Sequence, residues 1–230
     1  MTAAVSHTNV NTDFLDKDSQ ENPIQQIKFT LNRIQQETGI CVIPAHLGNP
    51  MARQFEPTNH AMAYFYQHRA ETDSSRGYQD VAGDPEVRRH IARSLMRLNR
   101  LDEQGITIGE ENILGANGGT GALNAALKTF RKDVTVLVAE PSYPPWIEIA
   151  RHLQRDIKSY ALRREDGYLL NPETIEPVIE KIENANDKPL VLIYHYPHNP
   201  TGKTLTKEEA KLVAERLNAL CEKHPNLFLI

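Results

Sequence analysis

The stretch Val134-Thr135-Val136-Leu137-Val138-Ala139 carries no charged residue and lacks the apolar–polar alternation of a half-exposed strand. Such a run predicts a strand buried on both faces, as in a parallel sheet covered by helices. Leu190 to Tyr194 and Leu227-Phe228-Leu229-Ile230 repeat the pattern, and Ile157 to Leu162 reads as another strand. Helical patterns fill the intervals. One runs from roughly Trp146 to His152, and Asn171-Pro172 opens another with Ile175, Val178, Ile179 and Ile182. Thr206 with Glu209 makes a capping box ahead of Leu212, Val213, Leu217 and Leu220. Alternating strands and amphipathic helices predict right-handed crossovers and an α/β fold with a mostly parallel sheet.

Upstream, Ile113-Leu114 leads into a Gly-rich turn and a helix with Ala122, Leu123, Ala126, Leu127 and Phe130. Asp84-Pro85 is a cap signal, with Ile91, Leu95 and Leu98 expected as a buried stripe. Asn22-Pro23 opens an earlier helix with Ile24, Ile27, Leu31 and Ile34, and Cys41-Val42-Ile43 enters a loop over His46 to Pro50. The expected organisation is a flexible tail over 1–21, an N-terminal arm and small-domain segment over 22–99, and the α/β domain over 100–230. There is no internal repeat or low-complexity block. A net charge of −4 in 230 residues gives no sign of a nucleic-acid partner or an anionic membrane surface. No apolar run approaches the ~20 residues that span a bilayer. The N-terminus lacks the basic start and apolar middle of a secretory signal. Two cysteines, Cys41 and Cys221, exclude a disulfide framework and make a reducing cytoplasm the default expectation.

In open parallel sheets ligands bind beyond the carboxyl ends of the strands, and three loops there carry unusual residues. Ala116-Asn117-Gly118-Gly119-Thr120-Gly121 offers glycines, a hydroxyl and a helix N-terminus, which suit a phosphate. A tight turn needing glycine only for its backbone angles explains the same residues. A dinucleotide fingerprint is disfavoured, because Asn124 stands where the last glycine should fall. In Glu140-Pro141-Ser142-Tyr143-Pro144-Pro145-Trp146, either aromatic could face a planar ligand or pack in the core. His198-Asn199-Pro200-Thr201-Gly202-Lys203-Thr204 contains Gly-Lys-Thr, but Pro197 replaces the first P-loop glycine and Pro200 removes a donor. What remains is Asn199, whose amide could donate to an anionic oxygen. His195 and His198 lack an accompanying Cys or acidic cluster, so they read as surface or core histidines and no metal site is expected.

Together the three loops resemble the large domain of class I/II pyridoxal-phosphate (PLP) aminotransferases of fold type I, over about Gly48 to Ile230. The carriers are NPTG at Asn199 to Gly202, NGGTGAL at Asn117 to Leu123, EPSYPPW at Glu140 to Trp146 and RGYQDVAG at Arg76 to Gly83. The resemblance implies a three-layer PLP-transferase-like domain and amino-group transfer between an amino acid and a 2-oxo acid. It further implies that Gly119, Thr120 and Gly121 cradle the phosphate, Tyr143 stacks on the pyridine ring and Asn199 bonds the phenolic oxygen. Tyr78 would reach the phosphate of a neighbouring subunit in a homodimer, and Gly48 would lie near the substrate carboxylate.

The family's pyridine-nitrogen aspartate and Schiff-base lysine follow the strand that corresponds to Leu227–Ile230, and neither has a counterpart here. Lys128, Lys203 and Lys207 do not match the lysine motif. The chain therefore reads as the N-terminal and large-domain part of such an enzyme, truncated and inactive alone, and prone to self-association through an uncovered sheet edge. Two alternatives share these loops: a non-catalytic or split PLP-fold protein, and a related PLP enzyme such as a C–S lyase or cyclopropane-forming synthase.

Overall fold

The computed structural model describes residues 23–43, 55–68, 78, 80–182 and 185–230, in two compact units divided between Gly77 and Tyr78. The expected tail over 1–21 and the loop containing Gly48 lie outside the described residues. The first unit contributes α1 (Pro23–Thr38) and α2 (Glu56–His68). Helix α1 forms where the 3.6-residue spacing places it, yet Ile27 and Ile34 of its stripe remain exposed. Cys41-Val42-Ile43 forms no strand, and Ile43 is exposed. Helix α2 has no stripe that the sequence singles out; within it Tyr64 stacks on His68 one turn later, with ring centroids 4.0 Å apart.

The second unit begins with α3 (Pro85–Asn99) and α4 (Gly118–Lys128), then alternates strictly. Its order is β1 (Thr135–Glu140), α5 (Pro144–His152), β2 (Asp156–Ala161), α6 (Pro172–Ile179), β3 (Leu190–Leu192), α7 (Lys207–Lys223) and β4 (Leu227–Leu229). The strands lie in the order β2-β1-β3-β4, every neighbouring pair parallel. Leu137 stands between Lys158 of β2 and Leu192 of β3, which fixes the two faces of the sheet. Leu137, Ala139, Tyr160, Leu190 and Leu192 pack against α6 and α7 through Ile175, Ile179, Val213, Leu217 and Leu220. Val136, Val138, Val191 and Ile193 pack on the other face against Leu127 of α4 and Trp146, Ile149 and Ala150 of α5.

This three-layer arrangement explains why the inner strands are apolar without alternation: both faces meet helices. Edge strand β2 keeps Asp156, Lys158 and Ser159 exposed, whereas β4 at the other edge exposes Phe228 and Leu229. The helix starts follow their caps. Asn171 Oδ1 accepts the Glu173 N–H at 3.1 Å, and the Thr206–Glu209 box closes with bonds of 2.9 and 3.2 Å.

One expected core face is corrected. Ile91, Leu95 and Leu98 of α3 are exposed, and Ala92 is the residue that α3 buries. The helix turns a polar side inward because Arg88 donates to the Gly83 carbonyl at 3.1 Å and to the Glu110 carbonyl at 2.8 Å. Arg89 adds an ion pair to the Glu110 carboxylate at 2.6 Å.

Candidate active site

The strand order reverses between β1 and β3. From β1 the chain crosses to β2 on one side, then returns past β1 to β3 and on to β4. Helix α5 covers one face and α6 and α7 the other, so the connections leave a crevice where the β1 and β3 loops diverge, the usual ligand position in such sheets. The loop over Glu140 to Trp146 leaves β1 there, and the loop over Ile193 to Thr204 leaves β3 there. Helix α4 ends at Lys128 and the chain turns directly into β1, while Leu123 and Leu127 pack on the same face as Val136 and Val138. Its 11 residues therefore run back toward the carboxyl end of β1, over about 16 Å. Gly118-Gly119-Thr120 thus opens at the same sheet end as the other two loops.

The start of α4 is free to bind an anion. Asn117 makes no side-chain cap, the first turn holds no carboxylate, and Gly118, Gly119 and Thr120 are exposed. Gly118 adopts φ +69°, a left-handed conformation that few other residues tolerate. A Cβ at Gly119 would meet no atom within 4 Å. The N–H groups of this turn and the Thr120 hydroxyl are consequently available donors at a positive helix end.

The two aromatics of the β1 loop separate in role. Trp146 is buried in the core against Val136, Val138 and Ile193, whereas Tyr143 is only half-buried beside that cluster. The two loops approach each other at Trp146 and His195, whose ring centroids lie 6.5 Å apart. His195 then stacks on His198, centroids 4.8 Å apart and planes inclined by 25°. Its Nε2 accepts the Asn199 main-chain N–H at 3.0 Å. His198 is buried, its Nδ1 lies 2.8 Å from Thr201 Oγ1, and its Nε2 has no hydrogen-bond partner. Burial pushes both imidazoles below their ordinary pKa, and for His198 the neighbouring His195 acts in the same direction. Asn199 itself is exposed.

The turn is closed by main-chain bonds: His198 N–H donates to the Lys203 carbonyl at 2.8 Å and Gly202 N–H to the His198 carbonyl at 2.7 Å. Lys203 Nζ is held 2.6 Å from Glu209 Oε1, so this lysine ties the loop to α7. Among the described residues no group of three or more His, Cys, Asp or Glu is placed to hold a metal ion. Tyr78 is fully exposed at the start of the second unit.

Tyr196, which sequence reasoning did not single out, props this loop from behind. Its hydroxyl donates to the Tyr168 carbonyl at 2.9 Å and accepts the Leu170 N–H at 3.0 Å, while Arg216 donates to the Leu170 carbonyl at 2.7 Å. Burial, the main cause, raises the phenol pKa, which keeps the donor in place. Tyr196→Phe should leave both main-chain groups without this partner and cost about 1–3 kcal/mol in urea unfolding. A change below about 0.5 kcal/mol would show that water replaces the hydroxyl.

Comparison with known proteins adds to this geometry. Residues 47–227 match the family model described as aminotransferase class I and II. A mitochondrial alanine aminotransferase of Saccharomyces cerevisiae is 29% identical over 140 residues, 60% of this chain and 23% of that protein. An aspartate aminotransferase of Pyrococcus horikoshii is 27% identical over 139 residues, 60% of this chain and 33% of that one. An alanine aminotransferase structure from Pyrococcus furiosus superposes with a TM-score of 0.69 at 24% identity, covering 91% of this chain and 49% of that chain. The chain thus spans about half the length of that structure, and the superposition shows a shared fold.

Proposed function

The chain belongs to the class I and II aminotransferase family, and from that premise we propose that its crevice binds PLP for amino-group transfer between an amino acid and a 2-oxo acid. Members of the family are PLP-dependent. The reading is carried by the reversal of strand order between the β1 and β3 loops, together with an uncapped helix start free of carboxylates on α4, which packs on one face of the same sheet. That donor set suits a phosphate dianion, and a half-buried Tyr143 and an exposed Asn199 suit the ring and its phenolic oxygen.

In this reading Gly119 and Gly121 give main-chain access to the phosphate and Thr120 adds its hydroxyl. Tyr143 fixes the plane of the ring, and the Asn199 amide donates to the phenolic oxygen. The exposed Tyr78 serves the phosphate of a neighbouring subunit in a homodimer, while Gly48, expected near the substrate carboxylate, lies outside the described residues. PLP, when bound, supplies the electron sink for the exchange. The chain's own contribution is to bind and orient, with Trp146 and the turn over 198–203 holding the crevice in shape. Lys203, the lysine of these loops, receives no covalent role, since it is committed to Glu209.

The test is PLP binding by equilibrium dialysis, with inorganic phosphate as competitor, followed by borohydride treatment and peptide mapping. Saturable, phosphate-sensitive binding with no single lysine labelled is expected. Absence of saturable binding rejects the site, and labelling of one defined lysine rejects the account of the lysines. Amino-group transfer is read as passage of 15N from an amino acid to a 2-oxo acid with protein from its native source. Elimination products without 15N exchange would replace transfer by a lyase-type reaction.

A further inference from the structure

The three loops of the proposed site leave one group unassigned. His195 has no role assigned to it from the sequence, yet it is the side chain on which the Asn199 main chain rests. Its Nε2 accepts the Asn199 N–H at 3.0 Å, so that nitrogen must carry its lone pair and the ring must be neutral. Protonation would place a hydrogen on Nε2 facing the Asn199 N–H, turning an attractive contact into a donor–donor clash.

The surroundings oppose that protonation. One face of the ring lies against His198, 4.8 Å between centroids, and Trp146 of α5 approaches it at 6.5 Å. Of these neighbours His198 is the titratable one. It is itself buried with Nε2 unpartnered, so a charge there finds no counter-ion. The other ionisable groups of the loop are engaged elsewhere: Tyr194 packs on the core between the sheet and α6 and α7, Tyr196 bonds Tyr168 and Leu170, and Lys203 pairs with Glu209. Burial places the His195 pKa below the ordinary imidazole value, in keeping with a ring that stays neutral near pH 7.

We propose that His195 is a positioning residue: its neutral imidazole anchors the Asn199 main chain at the carboxyl edge of β3, and its protonation releases that anchor. The inference rests on the reading of Asn199 as a cofactor contact only for its consequence in binding, not for the anchor itself.

Two measurements test it. In 15N-labelled chain, the Asn199 amide resonance should shift with pH at the midpoint of the His195 ring protons, below the ordinary imidazole range. In H195Q the side-chain oxygen can accept the same N–H, and the amide shift should lose its titration. An Asn199 amide that does not follow the His195 ring overturns the anchor. The second measurement is PLP affinity as a function of pH. H195F should raise the dissociation constant about fivefold to tenfold at pH 8, the worth of one hydrogen bond. H195Q should stay within roughly twofold of the unsubstituted chain at pH 8. As pH falls, the ratio of the H195Q constant to that of the unsubstituted chain should move in favour of H195Q, because only the imidazole loses its acceptor on protonation; the ionisations of PLP cancel in that ratio.

N199A separates the inference from the functional reading. If N199A leaves PLP affinity unchanged, the cofactor role of Asn199 fails while the amide titration still decides the anchor. If N199A weakens binding and H195F does not, the cofactor role stands and the positioning role is overturned.

Discussion

Leu137→Ala is expected to destabilise the chain by about 3 kcal/mol and to lower the melting temperature by roughly 6–12 °C. Leu137 is fully buried in the middle of the central strand, between Lys158 and Leu192 in register. Its side chain belongs to a cluster assembled from β2, β3, β4, α6 and α7, including Tyr160, Leu192, Ile175 and Leu217. A void there is bounded by strands fixed in a ladder and by helices already packed, so little collapse can fill it. The lost methyl groups therefore cost both their transfer energy and the cavity they leave. The strand is also tied to the site, because the Leu137 carbonyl accepts the Ile193 N–H at 2.9 Å where the chain leaves β3 for His195. Leu212→Ala on α7 is the control, since Leu212 is 38% exposed and should cost less than about 1 kcal/mol. Equal losses for the two variants in calorimetry or urea unfolding would contradict the placement of the core.

The parallel sheet was legible because inner strands covered by helices on both faces hold apolar residues without alternation and leave no place for a charge. Val134 to Ala139 states that condition directly, and each residue in it is buried. The ends were less legible. Leu190 to Tyr194 reads as one strand, but the ladder proper stops at Leu192, and Ile193 and Tyr194 make single bonds to the Leu137 and Ile230 carbonyls as the chain turns away. The face of α3 was misread because periodicity reports which side is apolar, not where a partner stands. Arg88, which the sequence does not single out, directs its planar guanidinium to two carbonyls on the inner side. At the site, residue type alone left Tyr143 and Trp146 equivalent, the family resemblance favoured Tyr143, and the structure buries Trp146 in the core. The bond from Asn199 N–H to His195 has no sequence signature, since it depends on a turn that brings a side chain back onto a main chain four residues later.

Gly119→Asp should weaken PLP binding by at least about 100-fold while leaving the fold intact or slightly more stable, and the opposition of those two signs makes it informative. The added Cβ meets no atom within 4 Å, and Gly119 has no left-handed φ that an aspartate would strain. A carboxylate in the first turn interacts well with the positive helix end, and aspartate restricts the unfolded chain more than glycine does. Together these predict a gain of about 0.3–1 kcal/mol in stability. For the ligand the same carboxylate is adverse. The turn holds no acidic residue, so the first one introduced faces a phosphate dianion at close range. A unit-charge repulsion at 4 Å with an effective dielectric of 20 is about 4 kcal/mol, and each 1.4 kcal/mol is tenfold in affinity. Gly119→Asn, of similar size and no charge, isolates the electrostatic part and should weaken binding by less than about tenfold. If Gly119→Asp binds PLP as tightly as the unsubstituted chain, the phosphate does not sit at the start of α4. If both variants lose binding together with thermal stability, the glycine is needed for the turn itself. A stable Gly119→Asp that has lost PLP, beside a Gly119→Asn that retains it, identifies the turn as an anion site.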